Sequence, residues 1–355
     1  MSNVVRLEIP PRGQGRAARH AALLACFAGA RRAPEEVFWL KENAELLNIL
    51  ECTGARPDAA ALAPLQDFYD GAEDRLRFFP QYYRFILSIC LDLEDLGLPG
   101  DKGARLCAWA ARQGLAEAEL SDLQRAEAVR LMARRDVAAL PGDADPEARL
   151  RRFIGRSETF ALPNKKAAYE LTHIVFYLSE YGRIDPALEA DAITSLEFAG
   201  LLAFLDRNAD LLAEICIALR YAGHDPSPIW EQWLERETFG FIVETGPRVD
   251  LADAYHTYFV TSWLMALSGG RDFVKPAEPG PMSFHRAPMA PAPLREMSQA
   301  LYRLEAARSR DWARMRPHVA AALSGAGADI LAEAEASSAH FEEFFAGFAR
   351  AGAAP

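Results

Sequence analysis

Apolar positions recur along the chain with the three-to-four-residue spacing of helices, and the strict alternation of a half-buried strand is nearly absent. Five apolar segments stand out because each ends in glycine. They are "LKENAELLNILECTG" at Gly54, "YYRFILSICLDLEDLG" at Gly97, "YELTHIVFYLSEYG" at Gly182, "ADLLAEICIALRYAG" at Gly223 and "YHTYFVTSWLMALSG" at Gly269. A glycine just past an apolar helix is the usual left-handed cap, because it has no Cβ to clash there. The intervals between these glycines lie in the low forties, except that from Gly97 to Gly182, which is about twice as long. A further unit should therefore end near residue 140, and "LQRAEAVRLMARRDVAALPG", running to Gly142, fits as a more degenerate copy.

Such a period accommodates two helices and two loops. The second helices fall between the glycine-capped ones, in "APLQDFYDGAEDRLRFF", in or beside "DLQRAEAVRLMARR", and in "AITSLEFAGLLAFLDRN". The capped segments are apolar almost all round and read as an inner layer, while the intervening, more amphipathic helices read as an outer one. The fold class expected is all-α, made of helical-hairpin repeats. Closure into an α/α toroid is preferred, because the consensus and the polar terminal repeats of an open array are missing. An open α-solenoid and an irregular helical bundle are the alternatives.

This reading divides the chain into a flexible start (1–18), a helical-repeat domain (19–270), a Pro/Gly-rich segment (271–293) and C-terminal helices packed on the same domain (294–350). The segment "GGRDFVKPAEPGPMSFHRAPMAPAP" excludes a helix by its prolines and glycines. It reads either as a linker or as a strap across the toroid mouth carrying Phe284 and His285. Beyond it, "LREMSQALYRLEAARSRDWARMRPHVAAAL" and "ADILAEAEASSAHFEEFFAGFARAG" read as two helices.

Composition narrows the function classes. The chain has 355 residues, half of them apolar, with 20 Phe and 6 Trp, enough for a substantial core. Its net charge of −11 argues against a general binder of nucleic acid or of anionic membranes. Its basic clusters, as in "ARRAPEE", are short and mixed with acids, the pattern of solvated helix faces. No apolar run approaches the ~18 residues needed to span a membrane. The opening "MSNVVRLEIPPRGQGRAARHAALLACFAGARR" reads as a flexible start and a first helix rather than as a signal peptide. Five isolated cysteines, an odd number without a CxxC pair, suggest buried thiols in a reducing cytoplasm.

The candidate chemistry lies in polar residues inside the inner helices. Counting back from the capping glycines, Glu45, Ser88, His173 and Glu214 each stand nine residues before the cap, and Asp210 and His256 thirteen before theirs. Glu170 shares a helix face with His173, and Asp210 shares one with Glu214. Two histidines and a carboxylate converging from neighbouring helices suit a divalent metal such as Zn²⁺, Fe²⁺ or Mn²⁺. His173, Asp210 and His256 are the expected ligands, and Glu170 and Glu214 the expected catalytic carboxylates, acting as general base or orienting a ligand histidine. Cys216 lies about 200° around the helix from Glu214 and faces away.

Plainer readings stand beside this one. His173 and His256 also fit as hydrogen-bonded core histidines, and Asp210 in "RNAD" as a helix-start carboxylate favoured by the macrodipole. Lys165 and Lys166 at a helix start fit an anionic ligand or, more commonly, exposed lysines. His20, His224, His318 and His340 read as surface residues. There is no G-x-S-x-G elbow for a serine nucleophile, and no GK[ST] loop for phosphate.

At "YELTHIVFYLSEYG", "ADLLAEICIALRYAG" and "AYHTYFVTSWL" the chain resembles a bacterial family of helical proteins of unknown function, which pairs an E-L-T-H-x-x-F-Y segment with a later Y-H-T segment. Its N-terminal "FWLKENAELLNILECTG" resembles an alphaproteobacterial branch of that family. The resemblance adds weight to Glu170, His173, Asp210 and His256 and implies no particular reaction. Three functions are therefore expected as candidates: a metal-assisted enzyme acting on a small molecule or peptide at the toroid centre, a helical scaffold binding a protein or peptide without catalysis, and a small-molecule binder without turnover.

Overall fold

The apolar segments form the helices their periodicity predicts in the computed structural model, which describes residues 14–140, 146–287 and 292–351. The helices of eight residues or more are α1 (Arg16–Ala25), α2 (Val37–Cys52), α3 (Tyr83–Asp95), α4 (Lys102–Arg112), α5 (Asp122–Ala133), α6 (Glu147–Ile154), α7 (Lys165–Leu178), α8 (Ala190–Leu205), α9 (Ala209–Tyr221), α10 (Pro228–Phe239) and α11 (Tyr255–Gly269). After them come α12 (Pro293–Arg303), α13 (Trp312–Ala320), α14 (Gly325–Ser337) and α15 (Phe341–Phe348). The protein is all-α apart from one two-stranded ribbon among the described residues. No helix among them is long and apolar enough to cross a membrane.

The glycine-capped helices are one another's neighbours. Helix α2 packs on α3, α3 on α5, α5 on α7, α7 on α9, α9 on α11, and α11 on α2. Between each pair from α3 onward sits a helix that touches both: α4 with α3 and α5, α6 with α5 and α7, α8 with α7 and α9, α10 with α9 and α11. Cross-helix pairs fix the direction. Tyr169–Asp210 and Thr172–Glu214 join α7 to α9, and Asp210–His256 and Tyr221–Trp263 join α9 to α11. Numbers rise together on both members, so these neighbours run parallel and their first turns share one end.

The helix ends fall close to the expected glycines but not always on them. Residues in the left-handed region end the six helices at Gly54 (φ 71°), Gly97 (φ 110°), Asp136 (φ 56°), Glu180 (φ 49°), Gly223 (φ 76°) and Gly270 (φ 66°). The expected cap at Gly142 lies outside the described residues, and helix α5 already ends before Asp136. After α7 the chain turns at Glu180, whose N–H donates to the Tyr177 carbonyl, while the Tyr181 N–H reaches Phe176. Gly182 follows two residues later. Aspartate tolerates this conformation at a moderate cost, and Glu180 adopts it as well. Helix α11 takes in Gly269, expected as its cap, and ends one residue later at Gly270, so three of the expected glycine caps are displaced.

The Pro/Gly-rich segment contains a strand that its composition conceals. Met282–His285 (β2) pairs antiparallel with Ile242–Thr245 (β1), in the register Ile242 opposite His285 and Val243 opposite Phe284. Phe284 is buried, and its N–H donates to Asp253 at 2.8 Å. Asp253 in turn takes the Arg31 guanidinium at 2.6 and 2.9 Å, while Arg31 also donates to Glu42 and to the Met282 carbonyl. Arg31 is enclosed by the rings of Phe27, Tyr255 and Phe284. One buried cation thus ties the segment after α1, helix α2 and the ribbon together.

Other boundaries move for local reasons. The flexible start expected over 1–18 lies outside the described residues as far as 13, but the Gln14 side chain exchanges hydrogen bonds with the backbone of Ala277, and α1 begins at Arg16. His20 is a correction: it is buried, with Nε2 2.8 Å from Asp272, rather than at the surface. The two long C-terminal segments each break in two. Asp311 accepts from the Arg314 N–H and starts α13 afresh, and Ser338 adopts extended backbone between α14 and α15. Helices α12, α14 and α15 all pack against α8.

Candidate metal centre

Three ligand-bearing side chains meet at the shared end of the parallel helices. One donor atom each from Asp210, Glu214 and His256 lies within 4.8 Å of the others. Asp210 stands in the first turn of α9, whose N-cap is Asn208, accepting from the Leu211 N–H. The helix start favours the Asp210 carboxylate through the macrodipole. Glu214 is one turn further along the same face. His256 is the second residue of α11, so the packing of α11 on α9 brings it to the same depth.

Neighbouring side chains hold each group in place. The Tyr169 hydroxyl donates to Asp210 Oδ2 at 2.6 Å, and the Thr172 hydroxyl to Glu214 Oε2 at 2.5 Å. His256 Nδ1 stands 3.3 Å from Glu45 Oε2, and its Nε2 stands 3.4 Å from Asp210 Oδ1. That second contact is an ion-pair distance without hydrogen-bond alignment, so Asp210 Oδ1 is buried without a donor. A carboxylate on the far nitrogen of a ligand histidine is the usual outer-shell arrangement, because it fixes the tautomer with its lone pair toward the metal.

The electrostatics follow from burial against charge. Burial disfavours a charged His256, but the Glu45 hydrogen bond and the nearby Glu45, Asp210 and Glu214 charges outweigh it and raise its pKa to about 9. Burial likewise opposes ionisation of Glu45, yet its hydrogen bond and pairing with His256 bring its pKa below the ordinary glutamate value. Glu214 moves the other way. It is nearly enclosed, with 4 % of its side chain exposed, and burial first, then Asp210, raise its pKa against the lowering influence of His173, Thr172 and His256.

The other expected residues take different places. His173 Nε2 is 3.9 Å from Glu214 Oε2 with 40 % of its side chain exposed, at the margin of the trio. Its ring is stacked on Tyr177 with centroids 6.1 Å apart. Glu170 pairs with Lys166 at 4.0 Å along the outer part of α7, and Lys165 pairs with Asp206 at 2.8 Å. The cap at Glu180 instead of Gly182 explains the offset of His173. Counting nine back from Glu180 reaches Leu171, and its neighbour Thr172, rather than His173, is the residue hydrogen-bonded to Glu214.

Tyr169 and Thr172 are not among the candidates read from the sequence, and Glu45 enters there by its position alone, without a role. For Glu45 a signal exists, since it occupies the same count before its cap as Glu214. The preferred closure would pack α11 on α2, but nothing in the sequence sets the register that brings Glu45 to His256. Tyr169 and Thr172 lie inside "AYELTH" and look like ordinary helix residues until α9 is placed beside them.

No curated protein and no solved structure matches the chain. A family model described as a domain of unknown function, DUF6902, matches residues 1–351, and the chain belongs to that family.

Proposed function

We propose that the helices close into an α/α toroid whose mouth holds a divalent metal ion on Asp210, Glu214 and His256, and that the protein uses it to act on a small molecule or peptide. The circular order of neighbours from α2 through α11 and back to α2 supports closure. The observation that carries the metal is the convergence of three donor groups around a buried Asp210 Oδ1 that has no hydrogen-bond donor. A cation there would also offset the burial that raises Glu214. Mixed imidazole and carboxylate donors suit Zn²⁺, Mn²⁺ or Fe²⁺, and such an ion supplies an activated water or polarises a carbonyl.

The chain's own residues then divide the work. Glu45 orients His256, Tyr169 and Thr172 hold the two carboxylates, and His173 stands beside the site, able to take or give a proton at Nε2. Glu170, turned toward Lys166, serves the surface in this reading. Net charge and the free, mostly buried thiols support a cytoplasmic protein without nucleic-acid or membrane partners. The Ala- and Arg-rich composition and the E-L-T-H and Y-H-T segments support a bacterial, alphaproteobacterial-type branch of the family.

The test is elemental analysis of the purified protein beside an Asp210→Asn, His256→Ala double variant. Near-stoichiometric metal in the parent, lost in a variant that keeps its helical circular dichroism, is the expected result. A metal-free parent that takes up no Zn²⁺ or Mn²⁺ on titration would sink it and favour the non-catalytic scaffold, with His256 as a cation between carboxylates.

A further inference from the structure

Several guanidinium groups among the described residues are each flanked by two carboxylates, four of them well buried or half-buried. Arg31 lies between Glu42 and Asp253, Arg84 between Glu119 and Glu127, Arg134 between Asp92 and Asp95, and Arg135 between Glu94 and Asp95. Arg130 on α5 departs from this arrangement. Its side chain is 4 % exposed, and the Glu180 carboxylate approaches its Nε to 3.3 Å without hydrogen-bond alignment. Both Nε and Nη2 are buried with no acceptor. The Tyr181 ring covers the guanidinium, 4.4 Å from Cζ. Buried N–H groups of a charged side chain are ordinarily satisfied, so an unmet pair next to empty space points to a missing acceptor.

The space is there. A cavity of about 240 Å³ opens between α5, α6 and α7, lined by Arg130, Tyr177 and Glu180 together with the apolar Val129, Ile174 and Ile184. The remaining charged groups of its lining have partners of their own: Arg151 pairs with Glu147 at 2.6 Å, and Asp185 accepts from the Ala187 N–H at 2.8 Å. The volume is below the ~300 Å³ at which pockets for drug-sized ligands begin, so the occupant is small.

We propose that this cavity binds a small carboxylate with an apolar body, whose oxygens supply the second acceptor to Arg130. Glu180 stays within ion-pair reach of Nε, the ligand supplies the acceptor that Nη2 lacks, and Arg130 then has the two-carboxylate environment of Arg31 and Arg134. The apolar lining receives the body of the ligand and Tyr177 packs along it. A guanidinium reads a carboxylate by paired, charge-assisted hydrogen bonds, and an amide of the same shape offers only one acceptor and no charge.

The experiment is a calorimetric titration at pH 7 with acetate, hexanoate, benzoate and 4-phenylbutyrate, each beside its primary amide. Fluorescence gives a second reading, since Trp263 stacks on Tyr181 at 5.7 Å. At least one of the three larger acids should bind at least about tenfold more tightly than its amide, the ratio expected for hydrogen bonds to a charged group. Acetate should be the weakest acid. Arg130→Met should reduce the acid to the level of the amide, and Arg130→Lys should fall between. Equal affinity of acid and amide, no binding by any acid of the series, or undiminished binding by Arg130→Met would overturn the proposal. Should Arg130→Met fail to fold, the acid-against-amide comparison on the parent protein decides alone.

Discussion

Glu45 and His256 are 211 positions apart and meet at 3.3 Å, carboxylate Oε2 to imidazole Nδ1, where the helix that opens the series packs on the helix that closes it. The contact sets the tautomer of the histidine and directs its other nitrogen toward Asp210. It also gives the imidazole two possible occupants on that side, a proton or a metal ion. The predictions below separate them.

Replacing Glu45 by Gln should weaken Zn²⁺ binding by about 10- to 100-fold, the usual effect of losing an outer-shell carboxylate. Chelator-competition titration measures it. A change below twofold would mean that Glu45 pairs with His256 for structural reasons only.

In the metal-free protein the pKa of His256 lies near 9, above its unfolded value near 6.5. A raised folded pKa stabilises the protein fully below the unfolded pKa, and that contribution is lost as pH rises through about 9. Thermal stability of the apo protein should therefore fall between about pH 6.5 and 9, by more than in a His256→Gln variant. A metal requires the neutral imidazole, so Zn²⁺ affinity should rise across the same interval. NMR titration of the His256 ring reads the pKa directly, and a value near 6.5 would remove the basis for both trends.

Arg31 has a fully buried side chain donating to Glu42, Asp253 and the Met282 carbonyl. Arg31→Leu leaves two buried carboxylates without their cation and should destabilise the fold by about 3–5 kcal/mol. Urea unfolding measures it. A loss under 1 kcal/mol would show that the carboxylates find other partners or protonate cheaply.

Asp136 adopts a left-handed conformation at the end of its helix, where four of the six helices carry a capping glycine. Asp136→Gly should raise stability by roughly 0.5–1 kcal/mol, since glycine reaches this region without the Cβ penalty. A lowered melting temperature would mean that the Asp136 side chain contributes something the backbone alone does not explain.

Much of the architecture was legible in the helical period. The apolar segments ending at Gly54, Gly97 and Gly223 are helices α2, α3 and α9, and the unit expected near residue 140 is α5. Where the reading slipped, it slipped on end chemistry. Asp136 and Glu180 cap helices as glycine does, and that moved His173 by half a turn relative to Glu214. The ribbon was hidden for a related reason: Met282–His285 is too short and too closely framed by proline to show an alternating pattern, and its pairing with Ile242–Thr245 is a long-range event.

By itself the sequence determined which segments are helical and that polar residues sit among the apolar faces of several helices, because these depend on periodicity and on residues near one another in the chain. Only the tertiary structure decided which polar residues face one another. Parallel packing of α7, α9 and α11 brought Asp210, Glu214 and His256 together, and the packing of α2 on α11 set Glu45 behind them, while His173 fell to the margin. Helix-to-helix register is a matter of a few ångströms of axial rise, and it is fixed by side-chain packing and cap geometry between helices far apart in the chain, which no single segment encodes.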